Sequence, residues 1–308
     1  MQKFWLVVGL GMSLILLHPR LGFAQKVENF GISGSIEVGF EKVEGEKSNL
    51  SAGDIEVSVD VRLNDNVSGN VLLRPDTPDE ILDEATININ TKLQLPVSIT
   101  VGKTVMPFGV FESHLISDSL TKKIWETNQV GIIVGYSGNI VKASGALYDS
   151  SNNEDVDAVA FQVFVNPAED FTIGASYKNY PEDVGTETTE SYSDVSAMFT
   201  YTKGRLTLDA EYCSATKRGK GEGKPSAYFI ALAYKHMDPL EIALRYENFD
   251  DDDDETISTK SKVSCGLNYL IAEETTLSIE YTKNNSERDK DDRKDGRNEL
   301  YAKLALKF

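Results

Sequence analysis

The chain has 308 residues, with 31 Lys and Arg against 49 Asp and Glu, a formal net charge of -18, and two cysteines. So acidic a balance excludes a nucleic-acid footprint, and the densest acidic runs, 250–255 and 286–295, read as solvated loops. After residue 24 no stretch is continuously apolar for the roughly 20 residues that a membrane-crossing helix needs.

The N-terminus carries Lys3, an apolar run over 4–17, and Gly22-Phe23-Ala24 ahead of Gln25. Small residues at those positions suit a signal peptidase, and the run is too short to span a bilayer, so 1–24 is expected to be a cleaved secretory signal. Its removal takes Lys3 and Arg20 with it and leaves 25–308 as one domain of charge -20.

From residue 30 onward, apolar and polar residues alternate in segments bounded by Gly, Pro, Asn and Asp. The segments are 30–40, 54–63, 66–74, 81–91, 97–103, 128–137, 140–148, 156–166, 170–180, 193–202, 205–214, 226–236, 239–248, 261–271, 274–284 and 298–308, sixteen in all. Segments of about ten alternating residues in even number describe an all-β transmembrane antiparallel barrel, with about 18 residues per strand and connection. The connections support it, because they alternate in length. Short ones at 63–66, 137–139, 166–170, 203–204, 236–239 and 272–274 are turn-rich and expected periplasmic. Long ones at 42–53, 104–127, 181–192, 215–224, 250–260 and 285–297 are expected extracellular. A soluble β-sandwich would also alternate, but not with strictly alternating connections and with tyrosines near the ends of the apolar faces. Tyr136, Tyr177, Tyr201, Tyr212, Tyr234, Tyr246, Tyr269 and Tyr281 stand where aromatic girdles belong. The last segment puts Leu300, Ala302, Leu304, Leu306 and Phe308 on one face and ends on that aromatic. It resembles the C-terminal strand signal of bacterial outer-membrane proteins. By strand parity Cys213 looks into the lumen and Cys265 into lipid, so no disulfide is expected.

The connection 104–127 is the longest and the most apolar, with Val105, Met106, Phe108, Val110, Phe111, Leu115, Ile116, Leu120, Ile124 and Trp125. In water it would expose a sticky patch, so it is expected either to fold into the barrel or to pack on a neighbouring subunit. In the first case Phe108, Phe111, Leu115 and Trp125 would seat on the wall. Phe108, Phe111, Glu112, His114, Asp118 and Lys122 would then form the pore constriction, with Glu112 and Asp118 facing the passage. The inward third loop of sixteen-stranded general porins lies at the same place in the strand order. These residues also carry a closer resemblance. Gly102-Lys-Thr-Val-Met-Pro-Phe-Gly109, followed by Ile116-Ser-Asp-Ser-Leu-Thr121, resembles the signature of LbtU-type siderophore porins, with Ser119 where that pattern has Pro. The resemblance covers about 20 residues and implies a porin-like barrel in the bacterial outer membrane, with ferric siderophore as a solute. By analogy with general porins it also implies a homotrimer.

Parity assigns a polar face to the lumen. Its acidic members are Glu37, Glu56, Asp60, Glu84, Asp209, Glu211, Glu241, Glu247 and Glu280; its basic members are Arg62, Arg74, Lys142, Lys178, Arg245, Lys303 and Lys307. Mixed signs set a transverse field, and no Arg/Lys ladder of an anion pore appears. With acidic outer loops, this reads as a passage for small hydrophilic solutes that leans to cations. The run Asp250–Glu255 lacks the spaced Gly and terminal Glu of a Ca²⁺ loop, and no cofactor or metal is expected. An enzyme would need a base-to-nucleophile pair. His236 falls in a turn, and His114 is only adjacent to Ser113 and near Ser117 and Asp118. An energy-coupled siderophore receptor would need 22 strands and a plug, more than this length supplies. A non-conducting structural or adhesive barrel stays open as an alternative.

Overall fold

The computed structural model describes residues 29–75, 81–91, 95–111, 114–150, 156–181, 191–218, 223–250, 260–285 and 297–308. The expected signal at 1–24, Glu112, and most of the acidic runs lie outside them. Sixteen strands close into one antiparallel barrel in chain order, with β1 paired to β16. They are β1 (Asn29–Val43), β2 (Asn49–Asn64), β3 (Val67–Leu73), β4 (Leu82–Asn90), β5 (Val97–Val105), β6 (Asn128–Ser137), β7 (Val141–Tyr148) and β8 (Ala158–Ala168). The second half comprises β9 (Phe171–Pro181), β10 (Ser191–Lys203), β11 (Leu206–Lys217), β12 (Ser226–Met237), β13 (Leu240–Asp250), β14 (Ser261–Ala272), β15 (Thr275–Asn285) and β16 (Glu299–Lys307). Every expected strand is present, shifted by a few residues at its ends.

Among the described residues closure leaves no unpaired strand edge, which a sheet in hydrocarbon could not tolerate. The seam is made by the register Ser35↔Lys307 through Val43↔Glu299. It is finished by Gly34 N to Phe308 O at 2.9 Å and Phe308 N to Gly34 O at 3.1 Å. Side chains alternate as the sequence predicts. In β12, Tyr228, Ile230, Leu232 and Tyr234 face out, whereas Ala227, Phe229, Ala231 and Ala233 are buried inside. The girdle tyrosines at 136, 177, 212, 234, 246, 269 and 281 are outward and exposed. Tyr201 packs edge-on against Phe171 at 6.4 Å between centroids. Cys213 is free and buried inside, and Cys265 is free and exposed on the outer face.

Two expectations need correction. Residues 42–53 are mostly strand: β1 and β2 run on to Val43 and from Asn49, leaving only 44–48 between them, with Gly45 in the left-handed region at φ 82°. Glu41, Lys42 and Asn49 resemble loop chemistry, but beyond the bilayer a ladder needs only backbone pairing and tolerates polar side chains on both faces. Within 104–127 the chain also forms a short helix, α1 (Leu120–Trp125). It was hidden in the sequence by its length, well below the size at which periodicity is readable.

Candidate functional site

The β5–β6 connection turns into the barrel and lines its inside from β6 round to β15. Its apolar residues seat in two places. Met106 is buried with Ala146, Tyr148, Ala158 and Ala160, against Ile133 and Tyr180. Phe108, Phe111, Leu120 and Trp125 form a second cluster with Cys213, Ala227 and Phe249. Room for them comes from small inward residues: a Cβ on Gly266 would stand 2.5 Å from Leu115 Cδ2. The turn at the bottom of the first descent is tight. Gly109 has φ 70° and Phe111 φ 57°, and a side chain on Gly109 would overlap the Phe111 ring. A left-handed phenylalanine is strained and persists only where its surroundings hold it.

What holds it is a series of inward carboxylates that accept the loop's backbone N–H groups. Glu211 accepts from Val110 N at 2.8 Å and Phe111 N at 3.3 Å, from Thr121 Oγ1 at 3.1 Å and from Ser196 Oγ at 3.2 Å. Glu280 accepts from Ser117 N at 2.8 Å and Ser117 Oγ at 2.6 Å. Glu247 accepts from Leu120 N at 2.5 Å, at the N-terminus of α1, where a negative charge meets unsatisfied N–H groups. Ser119 caps that helix by accepting from Lys122 N at 3.1 Å, a role the Pro of the resembling pattern could not fill. Arg245 ties the system together: it donates to Glu247 at 2.8 Å, to Ser117 O at 2.9 Å and to Ser117 Oγ at 2.8 Å. Higher up, Lys178 donates to Trp125 O at 3.0 Å and Thr127 Oγ1 at 2.9 Å, and its ammonium lies 4.9 Å from the Phe108 ring centre. Gln162 and Ser176 take the Gly109 carbonyl and N–H at 2.6 and 3.0 Å.

The expected site residues are thus divided. Phe108 is buried against the wall, and Phe111 is buried beside it with an edge on the lumenal recess. His114 lies deepest, its Nδ1 3.0 Å from Glu241 and its Nε2 3.3 Å from Asp209. Asp118 stays 53% exposed on the lumenal side and pairs with Lys122 at 3.0 Å, which also approaches Glu126 at 4.0 Å. Glu112 falls outside the described residues. Of the expected lumen charges, Asp209, Glu211, Glu241, Arg245 and Glu280 lie beneath the loop. Glu56, Asp60, Arg62 and Arg74 stand on the opposite wall, where Arg74 pairs with Glu56 at 2.5 Å and Asp83 at 3.4 Å, and Asp60 accepts from Asn70 at 2.9 Å. Sequence reading missed Ser117, Glu126, Gln162, Ser176 and Asn268 as loop partners. Parity marks the last three as inward, but nothing local says what they meet. Facing the lumen, Val110, Phe111, Leu115, Ser117, Asp118, Lys122 and Glu126 line a recess of about 410 Å³.

A closed sixteen-stranded antiparallel barrel has its counterparts among known proteins. The Gram-negative porin family model matches residues 99–295, from β5 through the inserted loop almost to β16. The chain belongs to this family. As a member, the porin is an outer-membrane β-barrel. A curated relative, the UPF0422 protein of Coxiella burnetii, is 29% identical over 125 residues, which are 38% of the porin but only 26% of that relative's length. Among solved structures, in-vitro folded OmpT of Vibrio cholerae superposes with a TM-score of 0.71 at 14% identity, covering 92% of the porin and all of OmpT. Its trimer form gives 0.68 at 14% identity, with 91% and 99% covered. OmpF of Salmonella typhi in complex with daunomycin gives 0.69 at 10% identity, with 91% and 97% covered. At such identities the likeness is one of fold.

Proposed function

We propose that this porin is a passive channel for small hydrophilic solutes whose passage runs between the inserted loop and the wall from β16 through β1 to β5. The observation that carries this reading is one-sidedness. Each described polar anchor below the loop's two roots is on β8–β15, and this leaves the opposite polar wall uncovered. Asp118, Lys122 and Glu126 then form one side of the constriction, and Glu56, Asp83 and Arg74 the other. The Glu126 carboxyl is held above its usual range chiefly by burial, and it feels Lys122, Asp118, Arg74 and Asp83 together. Charges of both signs on the two sides impose a transverse field and sort ions weakly, with a lean toward cations.

Ferric siderophore uptake is the narrower form of the same reading. It is supported by the segment 102–121 and by a lumenal recess of about 410 Å³, within the range of small-molecule sites. A homotrimer is proposed on the likeness to porins that include a trimer form. Catalysis is not part of the proposal: both ring nitrogens of His114 face carboxylates, and Ser117 Oγ is engaged by Glu280 and Arg245.

The test is single-channel conductance with reversal potential in a salt gradient, repeated with ferric siderophores as blockers. A stepwise, weakly cation-selective current supports the channel; block by a siderophore supports the narrower reading. A barrel that inserts without current would be the structural or adhesive alternative.

A further inference from the structure

The deepest point of the inserted loop is held differently from the rest. Elsewhere each anchoring carboxylate accepts from backbone N–H groups, which do not titrate. At residue 114 two carboxylates from different strands converge on one imidazole. Asp209 is the fourth residue of β11 and Glu241 the second of β13, so both lie near the short-turn end of the barrel. The Glu241 oxygen is 3.0 Å from Nδ1 and the Asp209 oxygen 3.3 Å from Nε2. A neutral imidazole has one N–H and one lone pair, so it can satisfy only one of two ionised carboxylates; an imidazolium has two N–H donors and satisfies both.

We infer that His114 is a proton-operated latch that pins the tip of the inserted loop, between its anchors on Glu211 and Glu280, to the barrel wall. The surroundings agree from every side. From β10, Thr200 donates to the other Asp209 oxygen at 2.6 Å, which keeps that carboxylate oriented. From β12, Lys235 stands opposite Glu241 in the strand register. From β14, Asn268 donates to the His114 carbonyl at 2.8 Å and approaches Glu241 at 3.4 Å. On the loop itself Asp118 is turned to Lys122. The imidazole is 28% exposed, so its proton exchanges with lumenal water. The hydrogen bond to Asp209 is the largest influence on it; with Glu241 it outweighs burial and raises the pKa above the ordinary histidine value.

The direction follows from that sign. A raised pKa in the folded state means that the latch contributes fully below about pH 6.5, the unfolded histidine value, and is lost as pH rises through the raised folded value. Above it, a neutral imidazole sits between two carboxylates, one of them facing a lone pair. The tip then loosens while Glu211, Glu247, Glu280 and Lys178 keep the remainder of the loop seated. The passage therefore fluctuates more, and is wider on average, on the alkaline side.

This inference rests on the channel reading only for its consequence, so the test has two arms. In ¹⁵N-histidine NMR of the folded barrel in micelles, His236→Gln assigns the His114 signal. It should titrate with a midpoint above about 6.5, with both nitrogens protonated below that midpoint. Glu241→Gln should lower the midpoint by about one pH unit, a tenfold change in proton affinity. In single-channel records the wild type should pass from a quiet to a noisier, larger conductance across the same midpoint. His114→Arg should stay quiet at all pH values, and His114→Gln should be noisy at all of them. A midpoint at or below about 6.5, or one that Glu241→Gln leaves in place, overturns the latch whether or not the barrel conducts. A conductance profile unchanged in both His114 variants overturns its control of the passage. If a His114 variant does not assemble, the titration of the wild type and of Glu241→Gln decides alone.

Discussion

The two walls of this barrel follow one pattern of alternation and use their inward polar residues in opposite ways. On β2–β5 and the β16–β1 seam, polar groups pair with neighbouring strands: Lys303 with Glu37 at 3.0 Å, Arg74 with Glu56, Asn70 with Ser58 at 2.7 Å, Thr100 with Asn88 at 2.7 Å. These pairs stay in contact with the lumen; Arg74 and Glu56 are 36% and 31% exposed. On β11–β15, Glu247 and Glu280 are fully buried and Glu211 nearly so, and each accepts backbone N–H groups of the loop beside one wall partner, Arg245, Thr282 or Ser196. The difference shows that a lumenal carboxylate is a pore charge only when nothing covers it. Once covered, it becomes a structural acceptor, and its loss should act on stability before selectivity.

The largest test of that contrast removes the cover. Deleting residues 110–122 should raise single-channel conductance and weaken discrimination, because it uncovers Asp209, Glu211, Glu241, Glu247 and Glu280 to the lumen at once. An unchanged conductance would place the loop outside the passage and withdraw Asp118 and Lys122 as site residues. Next, Glu211→Ala should strip Val110, Phe111 and Thr121 of their shared acceptor. Leaving buried donors unpaired costs about 1–3 kcal/mol each, so the folded barrel should lose several degrees of thermal stability and conduct more noisily. A variant with wild-type stability would show that water replaces the carboxylate freely. Gly266→Val sharpens the packing side: its new methyls meet Leu115, and overpacking of about 1–3 kcal/mol should appear as lower stability with the open wall untouched. On that wall Arg74→Ala should do the reverse. A part-exposed ion pair is worth only about 0–1 kcal/mol, so stability should barely move while the reversal potential shifts toward cations. A large stability loss there would erase the distinction between the walls. The smallest expected effect is chemical. A membrane-soluble maleimide should label Cys265 and not Cys213 in the folded barrel, and mass spectrometry of the unreduced protein should find no bridge.

Much of this was legible in the chain itself. Alternation, turn residues and the aromatic terminus determine sixteen strands, their order, and which face of each meets lipid, because a strand in hydrocarbon must show apolar side chains outward and every backbone group must find a neighbour. The apolar character of 104–127 likewise requires that it be buried somewhere. What sequence could not decide is where. Phe108 shares a cluster with Cys213 and Phe249, and His114 meets Asp209 and Glu241, across separations of about a hundred residues or more. No local pattern records such pairings. Parity marked Glu56 and Glu211 alike as inward acids. Only the closed barrel, by bringing one wall beneath the loop and leaving the other bare, made the first a lumenal charge and the second a buried anchor.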